Sequence, residues 1–258
     1  MITTDNDAIK IIEKRLNQPL SVTECKIYRI VLELLKKYSY VDNQTYPRPS
    51  HPIEEKRKDA FFTMASITMS LRTTLENEQK ASKKFMEKYN NIEEVAKTSI
   101  EELAEVISCA GMPQKKAQTI INIANYLIAQ YDGDINKLNS GTIEEIRAKL
   151  LSIPGIGQKS ADCLLELGFD LPSMVVDVNV FRVISRMFNI KDGINPNSKD
   201  DILLVKKFIE ENIESDFEIY QIVHTMILLH GKHICKSKPQ CLICDYENDC
   251  HYAKTKSF

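Results

Sequence analysis

The sequence contains few of the residues that interrupt helices or build tight turns. Of 258 residues, only eight are glycine and nine are proline, whereas glutamate, lysine, isoleucine and leucine are frequent. No apolar stretch approaches the roughly 18 uninterrupted residues of a membrane helix, so neither a membrane span nor a membrane partner is expected. The composition favours helices over sheets and is that of an ordinary soluble globular protein.

The N-terminus also lacks the features of a secretory leader. Its first residues, MITTDNDAIKIIEKRL, contain no basic flank followed by an apolar segment, which a signal peptide requires. We therefore expect an intracellular protein, in which disulfides are uncommon. Of seven cysteines, Cys25, Cys109 and Cys163 stand alone as small apolar side chains, whereas the other four crowd into residues 235–250.

An overall excess of positive charge is absent as well. The formal net charge is -2 and the isoelectric point is about 6.3, whereas domains that bind nucleic acid are often basic. A local basic strip, Lys232, His233, Lys236 and Lys238, can still bind phosphates. Its ordinary interpretation is a solvated charged surface.

Apolar residues at three- and four-residue spacing predict helices along the whole chain. The predicted helices cover 8–16, 24–37, 59–71, 114–131, 143–151, 158–167 and 178–187. Capping-box patterns at Ser99/Glu102 and Thr142/Glu145 mark helix starts, and the proline-rich TYPRPSHP, 45–52, is expected to be a loop or linker. No alternating strand pattern of convincing length is present, so we expect an all-α fold.

Residues 152–168, SIPGIGQKSADCLLELG, place a glycine-containing turn directly before a helix. Pro154 sets the entry of the turn, Gly155 permits a positive φ, and Gly157 removes a side chain where another backbone would approach. Backbone N–H groups at such a helix start can hold a phosphate. The alternative is an αα-hairpin whose glycines only allow a tight turn.

Lys159 lies in the first turn of that helix, and Asp177 follows it after an apolar Met-Val-Val. The separation leaves room for one helix and a return loop, so the amine and the carboxylate can face one cleft. Their ordinary interpretations are a solvated surface lysine and the N-cap of helix 178–187. A cap also fixes where a carboxylate points, so both roles of Asp177 can coexist.

Four cysteines follow the spacing C-x5-C-x2-C-x5-C: Cys235, Cys241, Cys244 and Cys250. Four thiolates this close can bind a 4Fe–4S cluster or a tetrahedral zinc ion. Structural zinc sites commonly use two short C-x2–4-C pairs, whereas here only Cys241 and Cys244 are that close. Spacing alone leaves both metals open.

Together, the PGIGQKSA hairpin, the Val-Asp at 176–177 and the four-cysteine tail resemble the endonuclease III family. This is a family of DNA glycosylases with AP-lyase activity in the helix-hairpin-helix superfamily, and the resemblance runs from about residue 60 to the C-terminus. It implies a bifunctional enzyme of base excision repair that removes damaged, oxidised pyrimidines from duplex DNA and cleaves the abasic site. The alternatives are a glycosylase for uracil or thymine opposite guanine or another modified base, and a non-catalytic DNA-binding module.

The resemblance places the catalytic lysine at Lys159 and the catalytic aspartate at Asp177. The amine would attack C1′ and expel the base, and the resulting Schiff base would promote β-elimination. We expect Lys159 to be partly buried at a helix N-terminus, because both conditions favour a neutral amine. Asp177 would accept a proton and counter the cationic sugar, while the backbone at Gly155 and Gly157 would hold a DNA phosphate.

The resemblance also implies that the four cysteines bind a 4Fe–4S cluster, with zinc as the alternative. The first loop, C-x5-C, is one residue shorter than the C-x6-C of the family. Its Lys236 and Lys238 are expected to contact the DNA backbone. His230, just before the tail, is expected to be a packed structural histidine.

Two loops match those that the family inserts into DNA where a nucleotide has been flipped out. In SLRTT, 70–74, Arg72 stands where glutamine is common, and in CAGMPQKKA, 109–117, Met112 takes the place of a leucine wedge. The ordinary alternatives are a surface arginine and a core methionine. Asn179, where the family commonly has histidine, is expected near the base pocket.

The implied architecture is two α-helical domains with a DNA-binding groove between them, in a monomer. A six-helix barrel containing the helix-hairpin-helix motif would span 53–171. A second helical domain would join 1–52 to 172–258 and carry the cluster loop.

Overall fold

The computed structural model describes residues 4–38 and 59–255. These residues form α-helices and short 3-10 turns and contain no strand, so the predicted all-α fold is confirmed. None of the described helices combines the length and the apolar composition needed to cross a bilayer. The predicted linker 45–52 and the predicted domain boundary at 52–53 lie outside the described residues.

The chain divides into two compact units. The first unites the described parts of Met1–Pro47 and Met174–Phe258, and the second comprises those of Arg48–Ser173. The helices of the first unit are α1 Asp5–Leu16, α2 Val22–Tyr38, α10 Val178–Phe188, α11 Lys199–Glu211, α12 Phe217–His233 and α13 His251–Thr255. Those of the second are α3 Ala60–Ser70, α4 Leu75–Lys88, α5 Ile92–Lys97, α6 Ile100–Val106, α7 Pro113–Tyr131, α8 Ile143–Ser152 and α9 Gln158–Gly168.

Helix α12 forms the centre of the first unit. It packs against α10, α2 and α1, and most of its residues from Ile219 to Ile227 are buried. Helix α10 contributes a one-sided apolar stripe that includes Val180, Ile184 and Met187, which is the pattern of a helix with one core-facing side. The start of α10, with Asp177, is thereby fixed on the unit's core.

Helix α3 forms the centre of the second unit. All ten residues from Ala60 to Met69 are buried, and a helix without a polar side has to be surrounded by others. It packs against α9, α4 and α7. The described residues of this unit form seven α-helices, and Ser99 caps α6, so that the stretch from Ile92 to Val106 forms two short helices.

The predicted helices are present, with ends that shift by a few residues. Thr142 and Glu145 form the predicted capping box. Ser99 caps α6 as predicted, but the Glu102 carboxylate accepts a hydrogen bond from the Thr98 hydroxyl at 2.9 Å and pairs with a lysine at 2.8 Å. The Glu102 carboxylate therefore does not complete the capping box, because it binds these other partners instead.

A buried ion pair ties α8 to α9. Asp162 Oδ1 accepts hydrogen bonds from Arg147 Nε at 3.2 Å and from Ser173 Oγ at 2.8 Å, while Oδ2 accepts one from Gln158 Nε2 at 3.2 Å. Arg147 Nη2 also donates to Ser173 Oγ at 3.1 Å. The side chain of Asp162 is only 4% exposed, so these bonds fix the two helices and the chain that follows them.

We expect Asp162→Ala to lower the free energy of unfolding by about 3–5 kcal/mol, because Arg147 would stay largely buried without its buried counter-ion. Glu144→Ala is the matched control, since Glu144 is 80% exposed and lies 3.8 Å from the same arginine. It should cost less than about 1 kcal/mol. Urea unfolding followed by circular dichroism measures both, and equal losses would contradict the assignment.

Candidate active site

The turn between α8 and α9 leaves the start of α9 uncapped. Gly157 is the N-cap residue, and in the described hairpin no side chain hydrogen-bonds to the first N–H groups of α9. The first turn also has no acidic residue. The positive end of the helix dipole is therefore free to meet an external anion.

The two glycines of the turn have different structural roles. Gly155 has φ +95°, and a Cβ there would lie 2.7 Å from Cγ2 of Thr119 on α7, so both conformation and packing call for glycine. Gly157 has φ −98°, which any residue can adopt, and a Cβ there would meet no atom of the chain within 4 Å. The space above Gly157 is open, and the approach of another backbone there stays a prediction.

Lys159 occupies the first turn of α9, and its side chain is exposed. The partial burial that we expected is therefore wrong for the protein by itself, because α9 turns this position away from the core. The position beside an uncapped helix N-terminus agrees with the sequence pattern.

Asp177 caps α10. Its Oδ1 accepts hydrogen bonds from the backbone N–H groups of Asn179 at 2.9 Å and Val180 at 2.8 Å. Its Oδ2 accepts one from Asn179 Nδ2 at 2.8 Å. The side chain is half-buried. The ordinary interpretation as an N-cap is confirmed, and the cap holds the carboxylate in one direction.

A chain of hydrogen bonds continues from Asp177 to the cysteine tail. Asn179 Oδ1 accepts from Arg182 Nη2 at 2.8 Å. Arg182 also donates to the carbonyl oxygens of Gly231 at 2.9 Å and Cys235 at 2.7 Å. Both ends of the Asn179 amide are thus engaged within the protein, one on Asp177 and one on Arg182.

Gly231 allows α10 and α12 to approach closely at this place. A Cβ at Gly231 would lie 2.8 Å from the Cβ and 3.3 Å from the Cα of Asn179, and 3.2 Å from Cγ2 of Val183. Because no real side chain tolerates the first of these distances, glycine is required for the present position of Asn179.

The four cysteines of the tail line one cavity of the first unit, together with Arg186, Met187 and His230. Burial raises the pKa of Cys241 and raises that of Cys244 to about 11. No group of three or more His, Cys, Asp or Glu side chains among the described residues is arranged to hold a metal ion. All four cysteines of the tail therefore border one common space.

Two other side chains shape this cavity. Arg186 Nη1 lies 3.4 Å from Cys235 Sγ and donates to the carbonyl oxygen of Lys236 at 2.6 Å, while Nη2 donates to that of Ser237 at 3.0 Å. His230 is buried, and its ring packs edge-on against Tyr246 at 5.4 Å. Burial lowers the pKa of His230 to about 4, so the ring is neutral at physiological pH, as a packed structural histidine should be.

The remaining predicted DNA contacts are exposed. Lys236 and Lys238 lie on the surface of the first unit. In the second unit, Arg72 lies in the loop between α3 and α4 and Met112 directly precedes α7. Their φ angles are +53° and +49°, and both residues are exposed. Met112 is 46% exposed, so the alternative of a core methionine is wrong.

Residues 65–207, more than half of the chain, match the model of the HhH-GPD superfamily base excision DNA repair proteins. An endonuclease III of Thermotoga maritima is 32% identical over 206 residues, which cover 80% of this chain and 89% of that protein. The chain belongs to the endonuclease III family.

Solved structures agree with this family at the level of the fold. A trapped covalent intermediate of endonuclease III with DNA has a TM-score of 0.67 and 23% identity, over 91% of this chain and 98% of that one. A thermostable thymine-DNA glycosylase has a TM-score of 0.71 and 23% identity, over 92% and 100%. By its family, the protein is an endonuclease III-like DNA glycosylase of base excision repair, of the DNA glycosylase/AP lyase class.

Three further residues hold this arrangement in place and were not predicted from the sequence. Arg182 and Arg186 lie one helical turn apart on α10 and both bind the tail. Their i, i+4 spacing was visible in the sequence and places them on one face. Gly231 carried no sequence signal of its own, because the need for glycine arises only from the approach of α10.

We expect Gly231→Ala to lower the free energy of unfolding by about 1–3 kcal/mol, because Asn179 and α10 must move to admit the methyl group. Gly168→Ala is the matched control, since its Cβ would have nothing closer than 3.6 Å and alanine is the better helix former. Thermal unfolding of the two variants measures the difference. A G231A protein as stable as G168A would show that the contact is not tight.

Proposed function

We propose that the protein is a bifunctional DNA glycosylase and AP lyase that excises oxidised pyrimidines from duplex DNA through Lys159. Membership of the endonuclease III family supports the substrate and the reaction class. The observation that carries the proposal is the exposed amine of Lys159 beside an uncapped helix start. Such a start attracts a DNA phosphate and so brings the sugar-phosphate backbone to the amine.

The proposed reaction has two stages. The neutral Nζ of Lys159 attacks C1′, the bond from C1′ to the base breaks, and the base leaves with the bonding electrons and takes up a proton. Opening of the sugar ring gives an imine between Nζ and C1′. The imine acidifies the C2′ proton, and its loss expels the 3′ oxygen and cuts the strand. Water then releases the sugar and restores the amine.

Asp177 supplies the anionic group in this proposal. Its carboxylate counters the positive charge that develops on the sugar as the base departs, and it accepts the proton that the attacking amine loses. Because three hydrogen bonds fix it, it needs little reorganisation during the reaction. Asn179 acts mainly by orienting Asp177, since its amide is engaged on both sides, and it borders the base pocket.

In this proposal, exposed residues bind the DNA backbone and hold the base pair open. The N–H groups around Gly155 and Gly157 hold one phosphate, and Lys236 and Lys238 contact others. Arg72 and Met112 enter the gap that the flipped nucleotide leaves. The partner of the protein in this proposal is duplex DNA that contains a damaged base or an abasic site, bound by a monomer.

The cysteine tail is proposed to hold a 4Fe–4S cluster through Cys235, Cys241, Cys244 and Cys250. Structural zinc sites commonly use two short C-x2–4-C pairs, whereas only Cys241 and Cys244 are that close in this chain. All four cysteines line one cavity of the first unit, which suits a shared cluster. The Arg186 donor near Cys235 Sγ is a hydrogen bond of the kind that tunes such clusters. A bound cluster would cross-link the tail.

A second candidate function is the excision of uracil or thymine opposite guanine. It is favoured by Asn179, which stands where the family commonly has histidine. In the described first unit, the Asn179 amide donates a hydrogen bond to Asp177. An amide in place of an imidazole therefore gives the proposed base pocket a different polar border.

Borohydride reduction tests the lysine chemistry. We expect wild-type protein mixed with abasic duplex DNA to give a covalent adduct on a denaturing gel, because reduction fixes the imine. Lys159→Ala should give none. Lys137→Ala is the control, since Lys137 is an exposed lysine that pairs with Asp132 on the far end of α7, and it should trap as much DNA as wild type.

Cleavage assays with the same proteins determine which substrate is preferred. Duplexes that each contain one oxidised pyrimidine, one uracil opposite guanine or one thymine opposite guanine should be cleaved in that order of preference. A wild-type protein that binds these duplexes but forms no adduct would favour the non-catalytic binding module. Preference for thymine opposite guanine would favour the second candidate.

Anaerobic purification tests the metal. The protein should contain iron and sulfide and absorb broadly near about 400 nm, as thiolate-bound clusters do. Cys244→Ser should lower iron content, whereas Cys163→Ser, which changes an isolated cysteine of the second unit, should leave it unchanged. A colourless protein with one equivalent of zinc would contradict the cluster.

A further inference from the structure

Lys116 of α7 places a buried ammonium group at the base of two loops. The residue is 4% exposed. Its Nζ donates hydrogen bonds to the carbonyl oxygen of Met69 at 2.8 Å and to that of Ala110. Met69 lies in the last turn of α3, directly before the loop of Arg72. Ala110 directly precedes Gly111 and Met112.

The two loops are neighbours beyond this shared contact. A Cβ at Gly111 would lie 3.7 Å from the carbonyl oxygen of Arg72. Arg72 and Met112 both adopt the left-handed region, which is unfavourable for residues other than glycine. Such a conformation persists only where the surroundings enforce it, and Lys116 anchors the chain just before each of the two residues.

Stability alone does not explain a lysine at this place. Among the interactions of the described residues, Lys116 contacts two carbonyl oxygens and no carboxylate. Burial lowers the pKa of its ammonium group. A buried charge without a counter-ion is a costly way to fill a core, although the carbonyl ends of α3 offset part of that cost with their partial negative charge.

Helix α7 extends the same anchoring to the phosphate-binding turn. Met112, Lys116 and Thr119 follow one another at spacings of four and three residues, so they lie along one face of α7. Met112 stands at the N-terminus of the helix, and Thr119 is the residue against which Gly155 packs. Lys116 lies between them and joins this face to the end of α3.

We propose that Lys116 is a positioning residue for base-pair opening: its ammonium fixes the spacing of the Arg72 and Met112 loops, so that both tips reach the same gap in the duplex. The inference rests on the proposed function. It adds that opening of the duplex depends on Lys116, whereas the bond-breaking steps at Lys159 do not.

The test compares two DNA substrates. Lys116→Met keeps an unbranched side chain close to the length of the apolar part of lysine and removes the donors. On a duplex with one oxidised pyrimidine, its single-turnover rate should fall about 10- to 100-fold, the scale expected for a misplacement of about 1 Å. On a single strand with an abasic site, where no base pair has to open, the rate should stay within about twofold. Lys116→Arg, which keeps donors, is the matched control and should retain most activity on both.

A double-mutant comparison separates positioning from general damage to the fold. In an Arg72→Ala/Met112→Ala background, Lys116→Met should have no further effect on the duplex, because the tips that it places are already gone. Should K116M be too unstable to purify, Lys116→Gln, which keeps one donor group, takes its place.

Every other outcome contradicts the inference about Lys116. Equal losses on both substrates, or a loss that persists in the R72A/M112A background, overturn the inference and leave the proposed function standing. A K116M protein as active on duplex as wild type does the same. A wild-type protein that acts on neither DNA overturns the proposed function and this inference together.

Discussion

The hydrogen bonds between Asp177 and the start of its own helix are the contact on which the first unit's part of the site depends. The backbone of α10 holds one carboxylate oxygen and Asn179 holds the other. Arg182 holds Asn179 and reaches the backbone of the cysteine tail. Gly231 permits the approach of the two helices that makes this possible. The orientation of one carboxylate thus depends on the same packing that positions the tail.

The two helices that carry the proposed catalytic residues begin in opposite ways. Helix α10 fills its N-terminus with the carboxylate of Asp177, whereas α9 leaves its own open behind Gly157. A filled N-terminus fixes a functional group inside the protein, and an open one attracts an anion from outside. The difference accords with a carboxylate that must stay in place and an amine that must meet DNA.

The helices and the Asp177 cap could be predicted from the sequence because they depend on local patterns: apolar spacing, capping residues and glycine turns. The network around Arg182 and the buried ammonium of Lys116 could not, since they depend on which helices pack together. In the sequence, Lys116 is one of two adjacent lysines near the start of α7, yet α3 and the turn before α7 enclose it. The exposure of Lys159 was missed for the same reason, because the face that α9 turns toward α3 is set by tertiary packing.

The amine of Lys159 is proposed to form the covalent bond to DNA, and the reduced adduct itself tests this step. Trypsin cleaves after Lys149 and Arg182, and the only basic residue between them is Lys159. We predict that digestion of the borohydride-trapped complex gives an uncut peptide of residues 150–182 that carries the mass of the sugar remnant. A remnant on any other peptide, with cleavage after Lys159 intact, would contradict the account.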